Sequence, residues 1–157
     1  MAAVTESVWD YPRPPRVEPS AEHVVVEHLG RVLAETTTSY RVLETSHPPT
    51  YYLPRAAFAD GVLRPGAGSS WCEWKGRASY LDVVVGDVVL ARAAWTYAEP
   101  YAGFEVIRDH VALYPGRVDR CTVDGEVARA QEGDFYGGLI TSRVTGPFKG
   151  APGTHGW

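Results

Sequence analysis

Between residues 23 and 127 turn signals recur about every ten residues, and the stretches between them are rich in alternating and β-branched side chains. That spacing suits short antiparallel strands rather than long helices. His23–His28 and Arg31–Thr38 flank Leu29-Gly30 as a hairpin, and Tyr40–Thr45 alternates as a third strand. His47-Pro48-Pro49 breaks the chain before a short extended piece, Thr50–Pro54. Proline at the start of Pro54–Phe58 suits a single helical turn. Gly61 to Gly68 reads as a glycine-rich loop. Arg77–Val85 and Val88–Tyr97 flank Gly86-Asp87 in the clearest hairpin of the chain. A short helix is expected within 101–108, a strand at Val111–Tyr114, and a last hairpin around Asp124-Gly125. The predicted fold is all-β with one or two short helices: a small bent barrel or sandwich of antiparallel strands over residues 23–127.

The flanks read differently. Residues 1–22 carry Tyr11-Pro12-Arg13-Pro14-Pro15-Arg16 and Pro19, which favour an extended arm. Trp9 and Tyr11 give that arm reason to pack on the domain, since large aromatics gain by covering a surface. Residues 128–157 hold dense glycine but also Phe135, Tyr136, Leu139, Ile140, Phe148 and Trp157, so an irregular segment wrapped over the domain is expected.

At 157 residues the chain is most simply one domain, able to bury about 70% of its unfolded surface. A net charge of −4 gives no footprint for nucleic acid or for an anionic membrane. No apolar run approaches the length of a membrane span, and the first residues lack a signal-peptide pattern, so a cytoplasmic location is expected. Cys72 and Cys121 are too few for a four-cysteine zinc site, and two free thiols are expected of a cytosolic chain. The histidines lack ligand spacing. No metal and no cofactor are expected.

Only two of the fifteen Lys and Arg residues are lysine, Lys75 and Lys149, and each stands in an aromatic-Lys-Gly triplet. In an arginine-biased chain a retained lysine marks a specific site, because lysine is a compact point charge whose pKa responds to burial. Trp71-Cys72-Glu73-Trp74-Lys75-Gly76 concentrates two tryptophans, a cysteine and a lysine in six residues. Cys72 is a candidate nucleophile with Lys75 as the neighbouring cation that favours thiolate. In an extended strand their side chains would diverge, so a turn at Trp74-Lys75-Gly76 is needed to unite them. Its plainer role is that of a small buried apolar residue. His47, three residues after Glu44, is a candidate general base oriented by that carboxylate. The plainer alternative is a surface pair. Tyr52, Trp74, Tyr80, Trp95 and Tyr97 are candidates to line a pocket and stack a flat ligand, with Glu44 and Glu99 as its hydrogen-bonding groups.

Several phrases also carry a family resemblance. Thr50-Tyr51-Tyr52-Leu53-Pro54-Arg55, Cys72-Glu73-Trp74-Lys75-Gly76-Arg77-Ala78-Ser79-Tyr80, Ala94-Trp95-Thr96-Tyr97-Ala98-Glu99-Pro100 and Val111-Ala112-Leu113-Tyr114 resemble the domain of unknown function family 427, over roughly residues 23 to 116. Ala98 stands where that family usually has proline, and Leu113 where it often has phenylalanine. The resemblance implies a β-tent fold, shared with zinc proteins such as the methionine sulfoxide reductase B group. Those relatives hold zinc through paired Cys-x-x-Cys motifs. This chain has none, so the metal does not carry over. The family's nucleotidyltransferase-like label finds no clustered acidic metal ligands here. The expected function is therefore a cytoplasmic β-domain whose aromatic pocket binds a small organic ligand. Two alternatives stand beside it: an enzyme using Cys72 with Lys75 or His47, and a protein-interaction module whose arm and tail dock a partner or form a homodimer.

Overall fold

The computed structural model describes residues 5–133 and 135–157. Their backbone forms β1 (Glu6–Ser7), β2 (Arg16–Ser20), β3 (Val24–His28), β4 (Arg31–Thr36), β5 (Ser39–Leu43), β6 (Thr50–Tyr52), β7 (Leu63–Cys72) and β8 (Gly76–Val85). Then follow β9 (Val88–Thr96), β10 (Val111–Leu113), β11 (Arg120–Val123), β12 (Glu126–Val127), β13 (Arg129–Ala130), β14 (Leu139–Ile140) and β15 (Val144–Thr145). The helical elements among the described residues are four single 3-10 turns, among them Arg55–Ala57 and Glu105–Ile107, where short turns were expected. The fold is all-β, as its turn spacing predicted.

One four-stranded sheet runs β12-β11-β3-β4 and a second runs β10-β9-β8-β7. A third, β2-β5-β6, is tied to the second where Leu53 and Val111 exchange two backbone hydrogen bonds of 2.8 Å. The β3–β4 turn works because Leu29 and Gly30 both adopt positive φ, 50° and 73°, which matches the twist of a tight hairpin.

Alternation along β8 sorts the interior into two compartments. Leu81, Val83 and Val85 face the main core, against Val24 and Val26 of β3 and Leu33 of β4. Ala78 and Tyr80 face the other way, into an aromatic cluster with Tyr52, Trp95 and Tyr97. The short β10 does the same: Val111 and Leu113 enter the main core while Ala112 joins the aromatic side. Each large apolar side chain removed from water contributes about 1.5–3 kcal/mol, so both faces of this sheet stabilise the fold. Adjacent Tyr51 and Tyr52 on β6 point to opposite compartments for the same period-two reason.

Of the loop expected from Gly61 to Gly68, only Gly61 and Val62 lie outside a strand; Leu63 to Gly68 form the first part of β7. This strand lies at the edge of its sheet, so Pro65 removes no needed ladder donor. Its register against β8 shifts between Pro65 and Ser69, and Gly68 supplies the φ of 92° that such an irregularity uses. At Gly66 a Cβ would stand 2.7 Å from the Asp82 Oδ1 atom, so glycine here marks close packing rather than looseness.

Residues 16–20, read from the sequence as part of the arm, form β2 and pair with β5 over five residues. The arm also meets the C-terminal segment: β1 pairs in parallel with β15, and Val8, Tyr11, Leu43, Ile140 and Val144 form a third apolar cluster. Beneath it lies Arg41, 1% exposed. Its guanidinium donates to Glu6 at 3.1 and 3.2 Å and to Glu18, binding arm to sheet.

Candidate functional site

The loop between β7 and β8 is only three residues, Glu73–Lys75, because Cys72 pairs directly with Gly76. Gly76 closes it with a φ of 104°, and a Cβ there would press on the Tyr101 ring at 3.3 Å. The Tyr101 N–H donates to the Lys75 carbonyl at 3.0 Å and fastens the loop to the domain. This reversal brings Cys72, Trp74 and Lys75 to one cleft of about 230 Å³.

Tyr52 of β6, Trp95 of β9 and Tyr97, the residue after β9, also line the cleft. The Trp95 Nε1–H donates to the Tyr52 hydroxyl at 3.2 Å, and the Tyr52 ring lies 6.2 Å from that of Tyr97. Tyr114 lies against Trp95 with centroids 4.6 Å apart. The opposite wall comes from the β5–β6 connection and the C-terminal segment: Glu44, His47, Gln131, Tyr136 and Lys149. Both lysines of the chain therefore line the same cleft.

Lys75 is 9% exposed, and its Nζ sits 6.0 Å from the Tyr97 ring centroid, at the outer limit of a cation–π contact. Burial pulls its pKa down, but Tyr52, Cys72 and Glu44 outweigh burial and raise it, so the group stays an ammonium. Glu44 acts on it by charge from beyond contact distance, while its Oε2 atom accepts from Arg13 at 3.2 Å. Among the described residues Lys75 has no carboxylate within salt-bridge distance.

His47 is fixed by Gln131. The Gly138 N–H donates to the Gln131 Oε1 atom at 3.2 Å, which turns the Gln131 amide nitrogen towards His47 Nδ1 at 3.1 Å and the Lys149 carbonyl at 2.8 Å. Nδ1 must accept, so the proton of neutral His47 resides on Nε2, facing Glu44 Oε2 at 3.7 Å. Burial, and then the Lys149, Arg13 and Lys75 charges, hold the His47 pKa down at about 4. At neutral pH it is an uncharged imidazole. Lys149 has its own engagements: Nζ lies 5.9 Å from the Tyr136 centroid and donates to the Trp157 carbonyl at 3.4 Å.

Of the residues singled out from the sequence, Cys72, Lys75, His47, Glu44, Tyr52, Trp74, Trp95 and Tyr97 line this cleft together. Two do not. Tyr80 lies on β8 opposite Trp95 and lines a neighbouring cavity of about 440 Å³. Glu99 is exposed, because the buried run Ala93–Tyr97 stops one residue past β9 and the chain turns outward at Ala98. The wall formed by Gln131, Tyr136 and Lys149 was not foreseen as part of the site. The rarity of lysine was the one signal that could have placed Lys149 there. Cys72 is half-buried, whereas burial raises Cys121 to about 12 and leaves it an inert thiol in the main core. Among the described residues no group of three or more His, Cys, Asp or Glu side chains is placed to hold a metal ion. Among these residues no helix is long and apolar enough to cross a membrane.

A buried cation against aromatic faces, with a neutral imidazole and a half-buried thiol nearby, can bind a flat anion. It can also offer a nucleophile to one. A search of curated proteins finds no match to this chain. The sequence profile of the domain of unknown function DUF427 matches residues 16–124, which takes in β2 to β11 and the Cys72–Lys75 loop. The chain belongs to the DUF427 family.

Proposed function

We propose that the Lys75 cleft binds a small planar organic anion, the anionic group on the Lys75 ammonium and the ring against Trp95 and Tyr97. The observation that carries this reading is Lys75 itself: a buried cation facing aromatic walls, with no close carboxylate among the described residues. The cleft keeps Lys75 charged without pairing it to a carboxylate of the described residues, and an anionic ligand gains from such a charge in a partly desolvated site. Its raised pKa favours anion binding over a free amine that would attack a carbonyl.

Trp74 and Trp95 line the cleft, so their fluorescence reports occupancy. Native mass spectrometry of untagged protein from its own host is expected to show a stoichiometric adduct, and indole-3-carboxylate or benzoate to quench the fluorescence saturably. Lys75→Met is expected to weaken that binding about tenfold or more, the worth of one charge-assisted contact. Equal binding by wild type and Lys75→Met would sink the proposal. A second reading, catalysis by Cys72, draws on its half-buried place beside Lys75. Cys72→Ser separates the two: a binding site keeps its affinity, whereas an enzyme keeps affinity but loses consumption of the bound compound.

A further inference from the structure

The Lys75 cleft adjoins its larger neighbour: Tyr114, Gln131, Phe135 and Tyr136 line both. The larger cavity carries two guanidinium groups, Arg92 and Arg117, and none of its described lining residues is a carboxylate.

Arg92 is held in place by an unusual backbone. It has a φ of 54° within β9, where the register against β8 shifts between Leu81 and Val83. A non-glycine residue occupies this left-handed region only where its surroundings fix it there. Here the Asp82 Oδ1 atom accepts the Arg92 N–H at 3.0 Å. The result aims the guanidinium over the Tyr80 ring, 4.3 Å from its centroid. Arg117 donates one Nη1 bond to the Ala91 carbonyl at 2.9 Å, a contact that fixes the rest of its fork at the same cavity. Two planar forks lining one cavity, one of them over a tyrosine ring, suit an oxoanion, which guanidinium groups grip with paired hydrogen bonds.

We propose that the two cavities form one elongated site for a planar organic molecule with an oxoanion, carboxylate or phosphate, at each end: one on Lys75, the other on Arg92 and Arg117. This rests on the anion-binding reading of Lys75 and extends it to the class of ligand. The intervening ring system lies along Trp95, Tyr114 and Tyr136, and Tyr80 takes its place in this outer subsite rather than beside Lys75.

The test is a length series of aromatic dicarboxylates, from terephthalate to biphenyl dicarboxylate, with carboxyphenyl phosphate, each titrated against its monoanionic parent by tryptophan fluorescence. At least one dianion is expected to bind about tenfold tighter than its parent. Arg92→Asn, chosen because asparagine tolerates positive φ, and Arg117→Gln should each erase that preference while leaving the parent's affinity alone. Lys75→Met should weaken parent and dianion together. Whether phosphate or carboxylate gives the larger gain identifies the second group. Dianions within about threefold of their parents, or a preference that survives both arginine variants, overturn the second subsite while the Lys75 reading stands. Failure of every monoanion and dianion to bind removes both.

Discussion

Arg41 and Lys75 are both buried cations, and the protein treats them in opposite ways. Arg41 is 1% exposed and reaches Glu6 and Glu18, while Glu6 also accepts from Arg143 at 3.2 Å and from the Tyr11 hydroxyl at 2.7 Å. Lys75 is 9% exposed and meets aromatic faces. Burial would raise the Glu6 carboxyl, but its bonds to Arg41 and Tyr11 and the nearby Arg41 and Arg143 charges bring it down to about 2. A buried charge whose donors are met by the chain fastens structure, here the arm to β5. A buried charge that no carboxylate of the described residues pairs is the one we propose meets a ligand.

The sharpest way to break this comparison is to remove each cation in turn. Arg41→Met leaves Glu6 and Glu18 without their shared partner. Because these carboxylates are partly solvated, the loss in urea-unfolding free energy should be about 3 kcal/mol, the lower end for breaking a buried pair. A loss below about 1 kcal/mol would show that the network is incidental.

Acid titration gives the next largest effect, and it belongs to the cleft. Folded His47 titrates at about 4 against an ordinary 6.5, so the unfolded chain binds the proton first as pH falls. Its contribution is complete above pH 6.5 and is lost as pH falls towards 4. Between pH 6.5 and 4.5 this amounts to about 2 kcal/mol, and His47→Gln should flatten stability over that window. The Glu6 contribution is present above pH 4.5 and disappears only as pH falls from there towards 2. A His47→Gln variant with the wild-type slope would refute the buried neutral imidazole.

Gly137 tests how closely the C-terminal wall fits the aromatic floor. A Cβ there would lie 2.3 Å from a Trp95 ring carbon and 2.9 Å from the Leu113 carbonyl oxygen, so Gly137→Ala should cost about 1–3 kcal/mol in thermal or urea denaturation. Gly116 has nothing within 4 Å of its Cβ position, and Gly116→Ala should change stability by less than about 0.5 kcal/mol.

The smallest expected change in the cleft is at Lys75. Lys75→Met should change folding stability by less than about 1 kcal/mol, because methionine keeps the apolar stem and removes a charge that no carboxylate of the described residues pairs. Destabilisation by more than about 1 kcal/mol would place Lys75 in the structural class with Arg41.

Much of this molecule is legible in its residues. Turn chemistry at Leu29-Gly30 and Gly86-Asp87 and the alternation from Ser79 to Val85 dictate hairpins locally, since period-two patterns and positive-φ turns need no distant partner. The Trp71–Gly76 phrase and the scarcity of lysine likewise marked the cleft. What misled was Gly61–Gly68, whose composition suggests a loop. Proline and glycine are tolerated there because β7 is an edge strand with an irregular register, a fact of sheet order rather than of local preference. Glu99 misled for a related reason, since proximity in sequence to Tyr97 does not survive the bend that follows β9.

The amino-acid sequence by itself determined the all-β class, the hairpins and the residue types a binding site would use, because these follow from short-range backbone and patterning rules. Only the tertiary structure decided that Lys75 and Lys149, 74 positions apart, share one cleft with His47 between two sheets and the C-terminal segment. It also decided that Arg41 is paired with carboxylates and that Lys75, among the described residues, is not. Charge pairing depends on distances of a few ångströms between segments remote in the chain, and no local pattern encodes them.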